Sequence, residues 1–246
     1  VIADPTAQRT LLKVQALDTR SQQLAHSRKT LPQHAELTRL DGLLAALDTR
    51  LVNARTALSD VQSEVARAES DVQLVRDRAA RNRGRLDAGT GTAKDLQAIQ
   101  HELESLARRQ ADLEDIEIEV MERAETLESE VAELERQRAE LVAEARATQA
   151  ARDEALARLA GEDEAVAADR AALVPGVATD LLALYDKIRA GAGGVGAAEL
   201  RARRCGGCQL ELNPVDVSRF ATAAPDEVLR CEECRRILVR TAESGL

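Results

Sequence analysis

From Leu37 onward the apolar positions advance in alternating steps of three and four. They run Leu37, Leu40, Leu44, Leu47, Leu51, Ala54, Leu58, Val61, Val65, Ala68, Val72 and Val75 without a slip. That spacing keeps one stripe facing a partner helix, the a/d seam of a coiled coil. The seam fades into an arginine-rich stretch from Arg76 to Arg85, and Asp87-Ala-Gly89-Thr-Gly91-Thr92 then breaks the helix, with Thr92 placed to cap the next one. A second long helix carries Leu96, Ile99, Leu103, Leu106, Leu113, Val120, Leu127, Leu134 and Leu141. Its other seam position is mixed: Gln110, Glu117, Ala124, Val131, Arg138 and Ala145. Past Thr148 the first series stops, and Leu159, Val166 and Leu173 continue the second.

Upstream, Asp4-Pro5 reads as an N-cap followed by proline at the first helical position, and Val14, Leu17, Leu24 and Leu31 form a partial stripe. Leu31-Pro32 interrupts it, because proline lacks an N–H and disfavours the helical conformation of the residue before it. If the chain reverses near Thr90, Leu37 lies opposite about Ala143, so everything after Thr148 needs another partner, and the helix before Pro32 has the length to supply it. The expected fold is mostly α: a long antiparallel coiled-coil hairpin over residues 1–173, with its tip near 87–92 and one arm broken at 31–32. At about 1.5 Å per residue an arm of roughly 80 residues would reach about 120 Å. The hairpin pairs with itself, so a monomer is expected. A parallel dimer is the alternative, because Gln110 and Glu117 could face another chain.

Val174-Pro175-Gly176 ends the long helix, a short amphipathic helix comes next over 180–189, and a glycine cluster spans 190–196. Residues 174–196 therefore read as a short helix and a glycine-rich hinge. Beyond them all four cysteines fall into two pairs, Cys205-Gly-Gly-Cys208 and Cys231-Glu-Glu-Cys234. Two Cys-x-x-Cys turns are the usual ligand set of one structural zinc ion, and Gly206 and Gly207 suit a sharp bend. Residues 197–246 are thus expected to form a small β-type zinc ribbon. Strands are predicted at 209–212, 227–230 and 236–240, with a helix at 215–224. The apolar stock (Leu210, Leu212, Val217, Phe220, Val228, Leu229, Ile237, Val239) is thin, so metal should supply much of the stability.

Composition narrows the choices further. The 246 residues are 31% charged and 44% hydrophobic but only 1% aromatic, a profile suited to a coiled coil and not to a rounded enzyme core. The net charge of −9 argues against general nucleic-acid affinity by the whole chain. No basic and apolar leader opens the sequence and no apolar run is long enough to span a bilayer, so no membrane association is expected. Metal-spaced thiols in such a chain fit a reducing cytoplasm.

The chain resembles the bacterial family that joins a coiled-coil hairpin to a C-terminal four-cysteine zinc ribbon. The resemblance spans essentially the whole sequence. It rests on Lys94-Asp-Leu-Gln-Ala-Ile-Gln-His-Glu-Leu-Glu-Ser-Leu106, Leu182-Ala-Leu-Tyr-Asp-Lys-Ile-Arg189, Gly193-Gly-Val and the two cysteine pairs, the second followed by Arg-Arg-Ile-Leu238. One departure is Arg235, where such ribbons commonly carry glycine after the last ligand. The resemblance implies a non-enzymatic cytoplasmic protein that binds nucleic acid or proteins; some relatives are linked to flagellar assembly and to an alternative sigma factor.

The residues also nominate candidate sites. No catalytic residues are assigned: His26, His34 and His101 lie on helices or beside Pro32, and His101-Glu102 lacks the second histidine of a zinc-protease helix. The metal ligands are Cys205, Cys208, Cys231 and Cys234, for one structural zinc. At the tip, Arg76, Arg78, Arg81, Arg83, Arg85 and Lys94 stand against Asp77, Asp87 and Asp95, a local charge of +3. These cations read either as a solvated surface or as a contact for phosphates or an acidic partner. In the ribbon, Arg203, Arg204 and Arg236 are the candidate contacts, although nearby carboxylates largely offset the basic group. The leading reading is an adaptor presenting a coiled-coil arm and a zinc ribbon to a protein partner. A nucleic-acid-binding ribbon factor is the alternative, and a thiol redox sensor comes third.

Overall fold

A computed structural model describes residues 1–246. Three long helices dominate: α1 (Pro5–Lys29), α2 (Pro32–Asp87) and α3 (Ala93–Leu173). Asp4 caps α1 by accepting from the Thr6 amide at 2.7 Å, and Thr30–Leu31 separates α1 from α2 at the expected proline. Thr92 and Asp95 form a reciprocal cap on α3: the Thr92 amide donates to Asp95 and the Asp95 amide to the Thr92 hydroxyl. The chain divides into two compact units, Ala35–Gln149 on one hand and Val1–His34 with Ala150–Leu246 on the other.

The first of these is the coiled coil of α2 with the N-terminal part of α3. Every seam residue from Leu37 to Val75 is buried or half-buried, and Leu47, Leu51 and Ala54 pack with Leu134, Val131 and Leu141. The antiparallel register is marked by ion pairs across the seam: Asp48–Arg138 at 2.6 Å, Arg55–Glu135 at 2.6 Å and Glu64–Arg123 at 2.9 Å. These are exposed pairs worth about 0–1 kcal/mol each. The buried stripe therefore holds the arm together, and the charges fix its direction.

In the second unit α1 lies along the C-terminal part of α3. Arg20 pairs with Glu162 at 2.7 Å and the Ser21 hydroxyl donates to Asp163 at 2.8 Å. The partner change expected near Thr148 and Pro32 falls at the boundary of the compact units. After a single 3-10 turn at Val174–Gly176 comes α4 (Thr179–Gly191), then β1 (Ala197–Arg201), β2 (Arg204–Cys205), α5 (Pro214–Thr222), β3 (Leu229–Arg230) and β4 (Ile237–Arg240). The sheet runs in the order β2-β1-β4-β3, with β1 parallel to β4 and both outer pairings antiparallel.

This sheet has two apolar faces, because alternate residues of a strand point to opposite sides. Ile237, Val239 and Ala197 pack on Leu11, Val14, Leu181, Tyr185 and Ile188 of α1 and α4. Leu200 and Leu238 pack with Leu212, Phe220, Leu229 and the buried cysteines. Part of the ribbon's apolar stock thus belongs to a core shared with the helices. Leu210, counted with that stock above, is about half exposed. The strand expected at 209–212 is reduced to a single bridge between Arg204 and Glu211, because Gln209 turns into the left-handed region with φ 65°.

The glycine cluster, expected as a hinge, has fixed partners. Gln15 of α1 accepts from the Gly196 amide at 2.7 Å through Oε1, and its Nε2 donates to the Gly194 carbonyl at 3.1 Å. The Arg236 guanidinium donates to the carbonyls of Ala192, Val195 and Gly207 at 2.8, 3.0 and 3.0 Å. Gly196 is required by close approach: a Cβ there would lie 2.7 Å from the Tyr185 ring and carbonyl. The first residues of the chain also join the ribbon. Ile2 bridges Glu227, and the Ala3 amide donates to the Asp226 carbonyl at 2.8 Å.

Candidate metal centre

Each cysteine pair sits in a tight turn. In the first, the Gln209 amide donates to the Cys205 carbonyl at 2.8 Å; in the second, the Arg235 amide donates to the Cys231 carbonyl at 2.9 Å. The residue closing each turn is left-handed, Gln209 at φ 65° and Arg235 at φ 61°. Arg235 thus adopts a conformation that favours glycine, at a cost of about 1–2 kcal/mol. Neither Gly206 nor Gly207 has positive φ. Gly206 is needed instead for proximity, since a Cβ would lie 2.9 Å from the Glu199 carbonyl oxygen. Its own amide donates to that oxygen at 2.9 Å, tying the first turn to β1.

The two turns bring all four sulfurs within 4.8 Å of one another. Cys205 Sγ is 3.7 Å from Cys234 Sγ, and Cys208 Sγ is 3.9 Å from Cys231 Sγ. A tetrahedron with Zn–S bonds of about 2.3 Å has edges of about 3.8 Å. The donor set fits zinc in number, chemistry and spacing, and a structural site of four thiolates is closed to a fifth ligand. Cys205 and Cys231 are buried, and Cys208 and Cys234 half-buried. Burial pushes the Cys205 thiol up to about 12 and raises Cys231 as well. At Cys234 burial acts upward too, but the Arg236 amide and the neighbouring thiols outweigh it and lower this sulfur to about 7. Amides of Gly207 and Cys208 point at Cys205, and those of Glu233 and Cys234 at Cys231, so each turn offers N–H donors to a thiolate. A zinc ion there would let all four sulfurs ionise together.

The predicted cations divide into groups. Arg76 pairs with Glu114 at 2.6 Å and Arg78 pairs with Glu102, both across the coiled coil. Arg81, Arg83, Arg85 and Lys94 are exposed and form no ion pair. In the ribbon, Arg203 donates to the Gly245 carbonyl at 2.8 Å, and Arg204 stands 3.9 Å from Glu211. Arg236 is turned inward, with all three guanidinium nitrogens on backbone carbonyls.

Several organising residues carry no sequence signal of their own. Asp18 is a helix-face carboxylate in the sequence, yet its side chain is only 4% exposed and accepts from the Tyr185 hydroxyl at 2.6 Å and from Arg170 Nε at 2.8 Å. Arg189 approaches the same carboxylate at 3.4 Å. Burial pushes the Tyr185 phenol well above its usual range, and the bond to Asp18 adds to the shift. Arg240 donates to the carbonyls of Ala223 and Glu227, among others, and so shapes the loop before β3. Only the spacing Leu181, Tyr185, Ile188 on one face of α4 hints that this helix faces a core.

No helix is long and apolar enough to cross a membrane. The pattern of the CT398-like coiled coil hairpin domain matches residues 14–193, and that of a C4-type zinc ribbon domain matches residues 204–238. An uncharacterized protein of Mycobacterium tuberculosis is 39% identical over 233 residues, 95% of each chain, and one of Mycobacterium leprae is 32% identical over 221 residues, 88% of this chain and 93% of the other. A solved structure from Mycobacterium smegmatis is similar at 40% identity and TM-score 0.84, covering 98% of this chain and all of that one. The structure of CT398 from Chlamydia trachomatis shares the fold at 17% identity and TM-score 0.63, over 96% and 98% of the two chains. With that coverage and identity, the chain belongs to the family of CT398-like coiled-coil hairpin proteins that carry a C4-type zinc ribbon.

Proposed function

We propose that the chain is a non-enzymatic adaptor of the cytoplasm, binding one structural zinc through Cys205, Cys208, Cys231 and Cys234 and presenting its coiled coil and ribbon to a protein partner. The observation that carries the choice of a protein is the placement of the aromatics. Tyr185 is fully buried, Phe220 is 1% exposed, and the chain has no tryptophan. Proteins that hold single strands stack bases on exposed rings, and none is offered here. The closed four-thiolate donor set supports a structural metal over a catalytic one. Nuclease-treated affinity capture with the zinc-loaded chain tests the reading: specific proteins should remain bound. Loss of every bound protein after nuclease treatment would sink it.

A nucleic-acid-binding role is the second reading, favoured by the exposed and unpaired Arg81, Arg83, Arg85 and Lys94 around the helix turn. Under the adaptor reading, binding to generic RNA or duplex DNA is weak and collapses with modest salt, because few phosphates can be neutralised at about 0.9 released counterions each on duplex DNA. Replacing Arg81, Arg83 and Arg85 with Glu abolishes that residual binding without changing zinc content or helicity. Sub-micromolar binding at physiological salt would promote the second reading.

A further inference from the structure

α4 turns two faces to different surroundings. Leu181, Tyr185 and Ile188 enter the core, whereas half-buried Leu184 and exposed Lys187, with the edge of Ile188, lie along a groove of about 330 Å³ between α4 and the second cysteine turn. Its other wall carries Arg230, Arg235 and the half-buried Cys234. The floor is apolar, the rim holds three exposed cations, and no carboxylate lines it. Lys187 and Arg230 form no ion pair; Arg235 reaches only the exposed Glu232, at 3.4 Å.

Taking the chain as a protein adaptor, as above, we infer that this groove receives an acidic, apolar-faced helical segment of the partner protein. An amphipathic helix laid in a groove places apolar side chains on the floor at i, i+3, i+4 and i+7 and leaves its other faces to the rim. Carboxylates on those faces meet Lys187, Arg230 and Arg235, which fixes orientation and excludes basic segments. Nucleic acid fits less well, since the groove offers an aliphatic floor and no ring. The left-handed backbone at Arg235 has a role here as well: glycine would relieve the strain but remove one rim cation. A simpler duty for these cations would be to offset the net −2 of a zinc–tetrathiolate centre, and that duty makes a different prediction, loss of metal on charge reversal.

The test uses the zinc-loaded full chain and a labelled synthetic peptide of about 16 residues, with leucines on one helical face and glutamates elsewhere. A scrambled peptide of the same composition and a single-stranded oligouridylate serve as competitors. The peptide should bind, the scramble at least about tenfold more weakly, and the variant Lys187→Glu/Arg235→Glu should lose about tenfold in affinity. Zinc content and helicity should stay unchanged. Equal binding of peptide and scramble, an unaffected double variant, or displacement by the RNA in preference to the scramble would each overturn the inference. If the double variant loses zinc, Lys187→Glu alone, on α4 and outside both cysteine turns, repeats the measurement; unchanged affinity there rejects the groove. Concentration-dependent self-association abolished by Lys187→Glu would hand the groove to a second copy and also reject the proposed occupant. The two readings fail separately. Nuclease-resistant capture of the same proteins by parent and variant alike rejects the groove but keeps the adaptor, whereas no captured protein at all rejects the adaptor.

Discussion

The Tyr185 hydroxyl donates a 2.6 Å hydrogen bond to Oδ2 of Asp18, joining α4 to α1 across 167 positions of sequence. Arg170 of α3 and Arg189 of α4 converge on the same buried carboxylate. One ionic cluster thereby sets the mutual placement of three helices.

Tyr185→Phe removes a hydrogen bond to a charged group and should cost about 1.5–3 kcal/mol of stability. Asp18→Ala leaves two partly buried guanidiniums without their shared partner and should cost more, about 3–5 kcal/mol. Denaturant titration followed by hydrogen exchange in α1 and α4 provides the comparison. Equal, negligible losses in both variants would show that the cluster is not stabilising.

The raised Tyr185 phenol also has a pH signature. Its folded-state value lies above the unfolded one, so the folded chain retains the proton longer and binds more protons between the two values. Stability from this group is complete below about pH 10, the unfolded value, and is lost as pH rises toward the folded value. Thermal unfolding of the parent should therefore fall more steeply above about pH 10 than that of Tyr185→Phe. Parallel curves would contradict the assignment.

Chelation of zinc should unfold the ribbon and spare the coiled coil at Ala35–Gln149. Structural zinc supplies on the order of 10–16 kcal/mol at neutral pH, and the ribbon's inner cluster is a handful of side chains around Leu200, Phe220 and Leu238. Because Ile237 and Val239 belong to the core with α1 and α4, exchange protection should fall at Leu11 and Leu181 as well. Elemental analysis with residue-resolved exchange reads both effects. A ribbon that keeps its protection without metal is the contrary result.

Arg235→Gly places a residue free of the Cβ penalty at φ 61° and should strengthen the second cysteine turn by about 1 kcal/mol. Gln209→Gly should gain less, because the Gln209 side chain donates to the Gly206 carbonyl at 2.7 Å and that bond would be lost. Competition with a graded chelator series ranks the three proteins. Weaker zinc retention in Arg235→Gly would show that its side chain outweighs its backbone strain.

Arg236→Lys keeps the charge but cannot span three carbonyls with a planar fork. It should raise amide exchange across residues 192–196 while leaving zinc bound. Unchanged exchange there would mean that Gln15 and the β1–β4 pairing hold the segment without help.

Much of this protein is set by near neighbours along the chain, and that part is legible in the sequence. The seam from Leu37 to Val75, the break at Pro32, the cap at Thr92 and the two turns Cys205–Cys208 and Cys231–Cys234 all come from spacing or local backbone chemistry, which do not depend on the rest of the fold. Tertiary structure decides the remainder. Gln15 reaches the carbonyl of Gly194, Arg236 fastens the segment expected to be a hinge, and Val1 to Ala3 add to the ribbon, all through contacts between residues distant in sequence that no periodicity announces. β1 exists because parallel pairing with β4 gives its backbone partners, not because Ala197-Ala-Glu-Leu-Arg201 has strong strand propensity. A glycine-rich run with few side chains to pack reads as mobile when seen alone. It becomes fixed only when other elements bring donors and acceptors to its exposed backbone.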